Sequence, residues 1–210
     1  KGLRTWIEVD TKALRSNYRI FRRILGRKVK LMTVAKSNAY GHSLVDYARF
    51  MQKLGTDWIG VDSIVEAVTL RASGIRKPLL ILGYTLPERY GDVFHTRASV
   101  TVSNFEALNI AIKKSSPARK IKIHIKVDTG MSRQGFFVED MAQVCEMLDR
   151  HREKVIFEGI YTHFAGAKNP AFPRDTEVQI AKFDQAVAIA AGFGFNPIKH
   201  AGASSGTLVF

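Results

Sequence analysis

Cysteine, acidic residues and long apolar runs are all scarce in this chain of 210 residues. A single cysteine, Cys145, excludes an internal disulfide framework and fits a reducing compartment, so a cytoplasmic location is expected. It falls in the apolar pattern of a predicted helix, with Met141, Val144 and Leu148, and so reads as core and not as a nucleophile. No apolar run reaches the roughly 18 residues that cross a bilayer, and Lys1-Gly2-Leu3-Arg4 does not read as the start of a signal peptide. No grouping of His, Cys, Asp and Glu has metal-ligand spacing. Acids number 19 against 32 lysines and arginines, a net charge of +13. That balance can signal an anionic partner. Here the basic residues are scattered (Arg22-Arg23, Arg27-Lys28, Lys113-Lys114, Arg119-Lys120-Lys122) with no interleaved aromatic motif, and a solvated basic exterior is the preferred reading over nucleic-acid binding.

What is present is an ordinary globular composition, 46% hydrophobic and 24% charged, long enough for one sizeable core. Thr5 to Asp10 alternates like a strand, and Asp10 or Thr11 can cap a helix with Leu14, Tyr18, Phe21, Ile24 and Leu25 on one stripe. Thereafter apolar strands near 31–35, 58–61, 78–82, 99–102, 121–127, 156–164 and 198–201 alternate with helical patterns. The helices are expected over Leu44 to Leu54, Ile64 to Ala72, Glu88 to Phe94, Asn104 to Lys114, Val138 to Arg150 and, after a loop with Pro170 and Pro173, Thr176 to Ala191. This rhythm indicates βα units on a parallel sheet, an α/β fold of the TIM-type (β/α)8 barrel class. A closed barrel needs eight strands over about 250 residues. Seven are legible, so the barrel is expected to be cut before its eighth strand.

Several unusual residues share one topological place, the C-terminal end of a strand, where such barrels carry their chemistry. The first strand runs into Lys36, with Asn38, Tyr40 and Gly41 in the turn after it. A lysine there can snorkel to solvent, or, desolvated, lose its proton and attack a carbonyl. The fifth strand brings Lys126, Asp128 and Arg133, the sixth His163, and the seventh Ser204, Ser205 and Gly206. Singly, each has a bland reading: an ion pair for Lys126 and Asp128, a core histidine, a plain turn. Together they supply an amine, a phenol, a guanidinium, an imidazole and an anion-binding loop, which suits a phosphorylated aldehyde.

The stretches Ala35-Lys36-Ser37-Asn38-Ala39-Tyr40-Gly41-His42, Lys126 to Gly135 (Lys-Val-Asp-Thr-Gly-Met-Ser-Arg-Gln-Gly), Thr162-His163-Phe164 and His200-Ala201-Gly202-Ala203-Ser204 resemble those of alanine racemases, fold-type III enzymes that use pyridoxal 5'-phosphate (PLP). The likeness runs from about residue 5 to the end. It implies that Lys36 is the Schiff-base lysine, that Tyr40 and Ser204 contact the phosphate (with Ser205 and Gly206 in the same loop), and that Leu82 lines the cofactor pocket. It further implies that Arg133 hydrogen-bonds the cofactor's phenolic oxygen, that Lys126 steadies that arginine (carbamylated in some members), and that His163 packs near the pyridine ring.

The same resemblance implies a small amino-acid substrate, no membrane and a homodimer. It also implies residues beyond this chain: an eighth strand whose arginine meets the pyridine nitrogen, and a C-terminal β domain whose tyrosine is the second base. Residues 1–10 would then pack on that β domain, with 11–210 forming the PLP-binding barrel. One departure is Ala203, where the family commonly has asparagine. The expected activity is interconversion of L- and D-alanine for peptidoglycan synthesis, the chain alone being weakly active or inactive. Alternatives are a serine or broad-specificity racemase and a non-catalytic PLP-binding protein of related fold.

Overall fold

The computed structural model of the chain describes residues 4–167 and 173–209. Lys1 to Leu3, Pro170 and Phe210 lie outside the described residues. The chain divides into two compact units, 1–83 and 84–210, each made of parallel strands alternating with helices.

In the first unit, α1 (Thr11–Leu25) starts where the Asp10 carboxylate accepts the amides of Lys12 and Ala13 at 2.7 and 3.2 Å, and it ends at Gly26, φ 66°. There follow β1 (Met32–Val34), α2 (Leu44–Leu54), β2 (Trp58–Val61), α3 (Ile64–Ala72) and β3 (Leu79–Ile81). β2 lies between β1 and β3, parallel to both, with Met32 opposite Trp58 and Ile59 opposite Leu79. Every residue of β2 and β3 is buried, which is why these strands read as unbroken apolar runs instead of alternating ones.

In the second unit, a 3-10 turn (Pro87–Arg89) leads into α4 (Tyr90–Thr96), β4 (Ser99–Val102), α5 (Phe105–Lys114) and β5 (Ile121–Lys126). A 3-10 turn (Val138–Asp140), α6 (Met141–Asp149), β6 (Val155–Tyr161), α7 (Pro173–Gly192), β7 (Ile198–His200) and α8 (Ser204–Val209) complete it. The strands pair in chain order from β4 to β7, all parallel. Met141, Val144, Cys145 and Leu148 form the buried face of α6, and burial pushes the Cys145 thiol up to about 11, as expected of a core cysteine.

Among the described residues there are seven strands, each at its predicted place. Three local expectations are corrected. Residues 5–10 form no strand: Trp6 and Ile7 are 66% and 76% exposed, and alternation makes a strand only when another strand accepts its ladder. β6 stops at Tyr161, not 164, where its pairing with the three residues of β7 ends. The segment read as a turn, 202–206, enters a helix at Ser204.

Candidate functional site

The candidate residues all lie at or beyond C-terminal ends of parallel strands. Lys36, Tyr40 and Leu82 belong to the first unit, and Lys126, Arg133, His163, Ser204, Ser205 and Gly206 to the second.

In the first unit the β1–β2 ladder runs one residue past β1, with the Ala35 amide donating to Gly60 O at 2.7 Å. Lys36 follows directly and is half-buried. The chain then makes a left-handed turn: Ser37, Asn38, Ala39 and Tyr40 have φ of 54°, 55°, 53° and 55°. Each non-glycine residue held there costs roughly 1–2 kcal/mol, so four in succession persist only if the surroundings impose them. The turn is closed internally by the Ala39 amide on Ala35 O at 2.8 Å and by Gly41 at φ 91°, where glycine takes a left-handed cap freely. Ala39 is buried, whereas Tyr40 is 63% exposed. Leu82 continues β3, its amide on Val61 O at 2.8 Å, and its Cδ1 sits 3.2 Å from where a Cβ on Gly60 would be. Glycine at 60 therefore lets the Leu82 side chain close over β2.

In the second unit β5 ends on Lys126, 3% exposed, with Nζ 5.7 Å from the centre of the Tyr161 ring. The following loop is organised by Asp128, whose Oδ1 accepts the amides of Gly130 and Ser132 at 2.9 and 3.1 Å. Burial raises its pKa, but the backbone amides of Gly130, Ser132, Met131 and Arg133 outweigh that and hold it below the usual value. Asp128 thus serves the loop. The loop returns through Phe136 N to Lys126 O (2.9 Å) and Asp128 N to Phe136 O (2.8 Å), which leaves no room for a Cβ at Gly135, φ 134°. Arg133 is exposed on this loop and near enough to Tyr161 for its charge to lower the phenol's pKa. His163 lies half-buried two residues past β6, beside the Thr129–Thr162 hydroxyl pair at 2.8 Å.

A buried polar chain in this unit escaped the sequence reading. In β6, Glu158 is skipped in the pairing: Ile123 faces Phe157 while His124 faces Gly159. Such a bulge re-aims a side chain. The Glu158 carboxylate meets Lys122 Nζ at 2.9 Å and His124 Nε2 at 3.4 Å, and accepts from Ser99 Oγ. His124 Nδ1 lies 2.8 Å from His200 Nε2, and the His200 ring stacks on Tyr161 (4.6 Å, 9°), whose hydroxyl is 3.0 Å from Thr101 Oγ1. Burial raises the Glu158 pKa, yet hydrogen bonds from His124, Lys122 and Ser99 bring it to about 2. Burial, then the neighbouring His124, push His200 down to about 3, so it is neutral at physiological pH. Burial pushes Tyr161 up to about 12. The available signal was the period-two polar row Lys122, His124, Lys126 in a strand also apolar at 121, 123 and 125.

In chemical terms, the first unit offers an amine on an imposed turn with an exposed phenol. The second offers a guanidinium loop, a buried lysine and a neutral imidazole.

Comparison with known proteins matches these features to one family. The family model described as alanine racemase, N-terminal domain, matches residues 9–210. Alanine racemase from Symbiobacterium thermophilum is 38% identical over 99% of this chain and 55% of its own length, and that of Methanococcus maripaludis 38% over 95% and 54%. Among solved structures, alanine racemase of Clostridium difficile 630 superposes with TM-score 0.90 at 29% identity, covering 98% of this chain and 54% of that one. A Bacillus anthracis alanine racemase with bound L-Ala-P gives 0.90 at 30% over 98% and 53%. The chain spans about half the length of the curated relatives it matches. A parallel α/β fold with its unusual residues at the strand ends, matched by a family profile over all but its first eight residues, places this chain in the alanine racemase N-terminal domain family.

Proposed function

We propose that the whole protein racemises an amino acid, alanine foremost, with pyridoxal 5'-phosphate, and that this chain is its cofactor-binding portion. The observation that carries this reading is Lys36 seated where the β1–β2 ladder ends, on a turn held in a costly conformation within the family motif. By their chemistry, the donors that each unit carries fit the group. Lys36 supplies the amine for the aldehyde. The exposed Tyr40 hydroxyl and the Ser204-Ser205-Gly206 segment supply phosphate donors, and Arg133, which makes no ion pair among the described residues, supplies a cation for the phenolic oxygen. Bound there, the cofactor supplies an electron sink that lowers the cost of removing an α-proton.

The chain's own residues do the rest. Lys36 Nζ takes and returns a proton on one face of the α-carbon. With the cofactor bound, Lys126 would steady Arg133, His163 would pack near the pyridine ring, and Leu82 would line the pocket. Inversion needs a second base on the opposite face, and with Tyr40 and His163 otherwise engaged that base comes from the remainder of the protein in a homodimer. Residues 1–10 then pack on that remainder as a separate segment from the 11–210 barrel, and the product serves peptidoglycan synthesis in the cytoplasm. The solved relative that carries L-Ala-P supports an alanine-like ligand.

The test is Lys36→Ala in the whole protein. Borohydride reduction and peptide mapping are expected to place a pyridoxyl group on Lys36 of the wild type, and the variant is expected to lose the bound-cofactor absorbance. Persistence of that absorbance refutes the assignment. Rapid two-way racemisation by the 210-residue chain alone refutes an external second base.

A further inference from the structure

We propose that Asn38 and Glu66 are positioning residues for Lys36 and Tyr40, acting by locking the left-handed turn that joins them. The proposal rests on the functional reading above, in which those two side chains hold the cofactor.

A run of four left-handed residues has no stability of its own, so ties from outside must impose it. Two reach it. The Asn38 carboxamide Oδ1 accepts the Leu44 amide at 2.8 Å, fastening the middle of the turn to the first residue of α2. The Asn38 amide donates to Glu66 Oε1 at 3.4 Å, fastening the same residue to α3. Asparagine is suited to this place: its short side chain tolerates positive φ and carries the needed acceptor.

Glu66 makes the case sharper. It is the third residue of α3, behind the N-cap Ser63, whose Oγ accepts the Glu66 amide at 3.4 Å. In an ordinary capping box such a glutamate reaches back to the amide of the N-cap residue itself. Here it reaches one residue further, to the Asp62 amide at 2.7 Å through Oε2, and the other oxygen crosses to Asn38. That second bond adds nothing to the start of α3. Its effect falls on the turn. One carboxylate thus joins the segment after β2 to the turn after β1, both at the end of the sheet where Lys36 emerges. Lys36 and Tyr40 sit at the two ends of the locked segment. If the four residues relaxed toward right-handed geometry, the amine and the phenol would change their separation and direction together.

The experiment uses the whole protein. PLP titration by absorbance, visible circular dichroism of the bound cofactor and borohydride mapping are measured beside thermal unfolding. Asn38→Gly is the decisive variant, because glycine takes positive φ readily while the carboxamide that supplies the acceptor is removed. Glu66→Ala removes both carboxylate bonds. Each is expected to weaken PLP affinity about 10-fold and to reduce the visible dichroism, out of proportion to any loss of thermal stability. Glu66→Gln keeps one acceptor oxygen and is expected to recover part of the affinity. Wild-type affinity and dichroism in both Asn38→Gly and Glu66→Ala overturn the proposal. So does a loss that only tracks the fraction unfolded. Absence of a pyridoxyl group on Lys36 in the wild type overturns the functional reading with it, and that result is read before any variant is made.

Discussion

Gly159→Ala is the most informative single change in the buried polar chain. A Cβ at this position would overlap the His124 ring, lying 2.7 Å from Cγ and closer still to Nδ1 and Cε1. The ring is 2% exposed and cannot swing aside without loss, because Nδ1 is engaged with His200 at 2.8 Å and Nε2 faces Glu158 at 3.4 Å. Overpacking of this kind costs about 1–3 kcal/mol. Parting the two imidazoles leaves buried polar atoms unsatisfied, for about 1–3 kcal/mol more. The sum, about 2–6 kcal/mol, is a large share of the roughly 5–15 kcal/mol that holds a domain together. Urea unfolding with an unchanged m-value measures it. The control is the same substitution in a His124→Ala background, where the methyl enters vacated space. Its cost there is expected below about 1 kcal/mol, so the pair falls short of additivity by about 1–5 kcal/mol. A cost under about 1 kcal/mol in the wild type, or one indifferent to the ring, would refute the proposition that Gly159 is small because His124 packs against it.

The other perturbations test charge and the arginine loop. Glu158 is depressed from 4.5 to about 2 and His200 from 6.5 to about 3. Both therefore contribute stability that is complete above pH 6.5 and is lost as pH falls through 3 and then 2. Thermal unfolding across pH should show one declining limb below 6.5 and a steeper one below 4.5. Glu158→Gln should remove the lower limb, leave the upper, and cost about 2 kcal/mol at neutral pH. An unaltered lower limb contradicts the assignment. Gly135→Ala forces a side chain to φ 134° with its Cβ 2.5 Å from Asp128 N, so a loss of about 3 kcal/mol and weaker PLP retention are expected from opening of the loop that carries Arg133. Wild-type unfolding and PLP affinity would show that the loop tolerates it.

Much of this molecule is legible from short windows of sequence. Apolar runs such as Trp58–Val61 and Leu79–Ile81, bounded by turn residues, read as strands buried on both faces, and the stripe Met141, Val144, Cys145, Leu148 reads as the inner face of a helix. Because these patterns are local, they establish the order of the elements, and with it the strand ends where Lys36, Lys126, His163 and Ser204 fall. Two features needed the tertiary structure. The handedness of the Lys36 turn depends on Glu66, which is 28 positions from Asn38, and nothing between Ser37 and Tyr40 announces four left-handed residues. The polar chain depends on His124 meeting His200 across 76 positions and on a bulge that swings Glu158 inward. Periodicity records which face of an element is apolar. It carries no record of which distant side chain arrives opposite, and that choice decides the strain, the ionisation states and the aim of the candidate site.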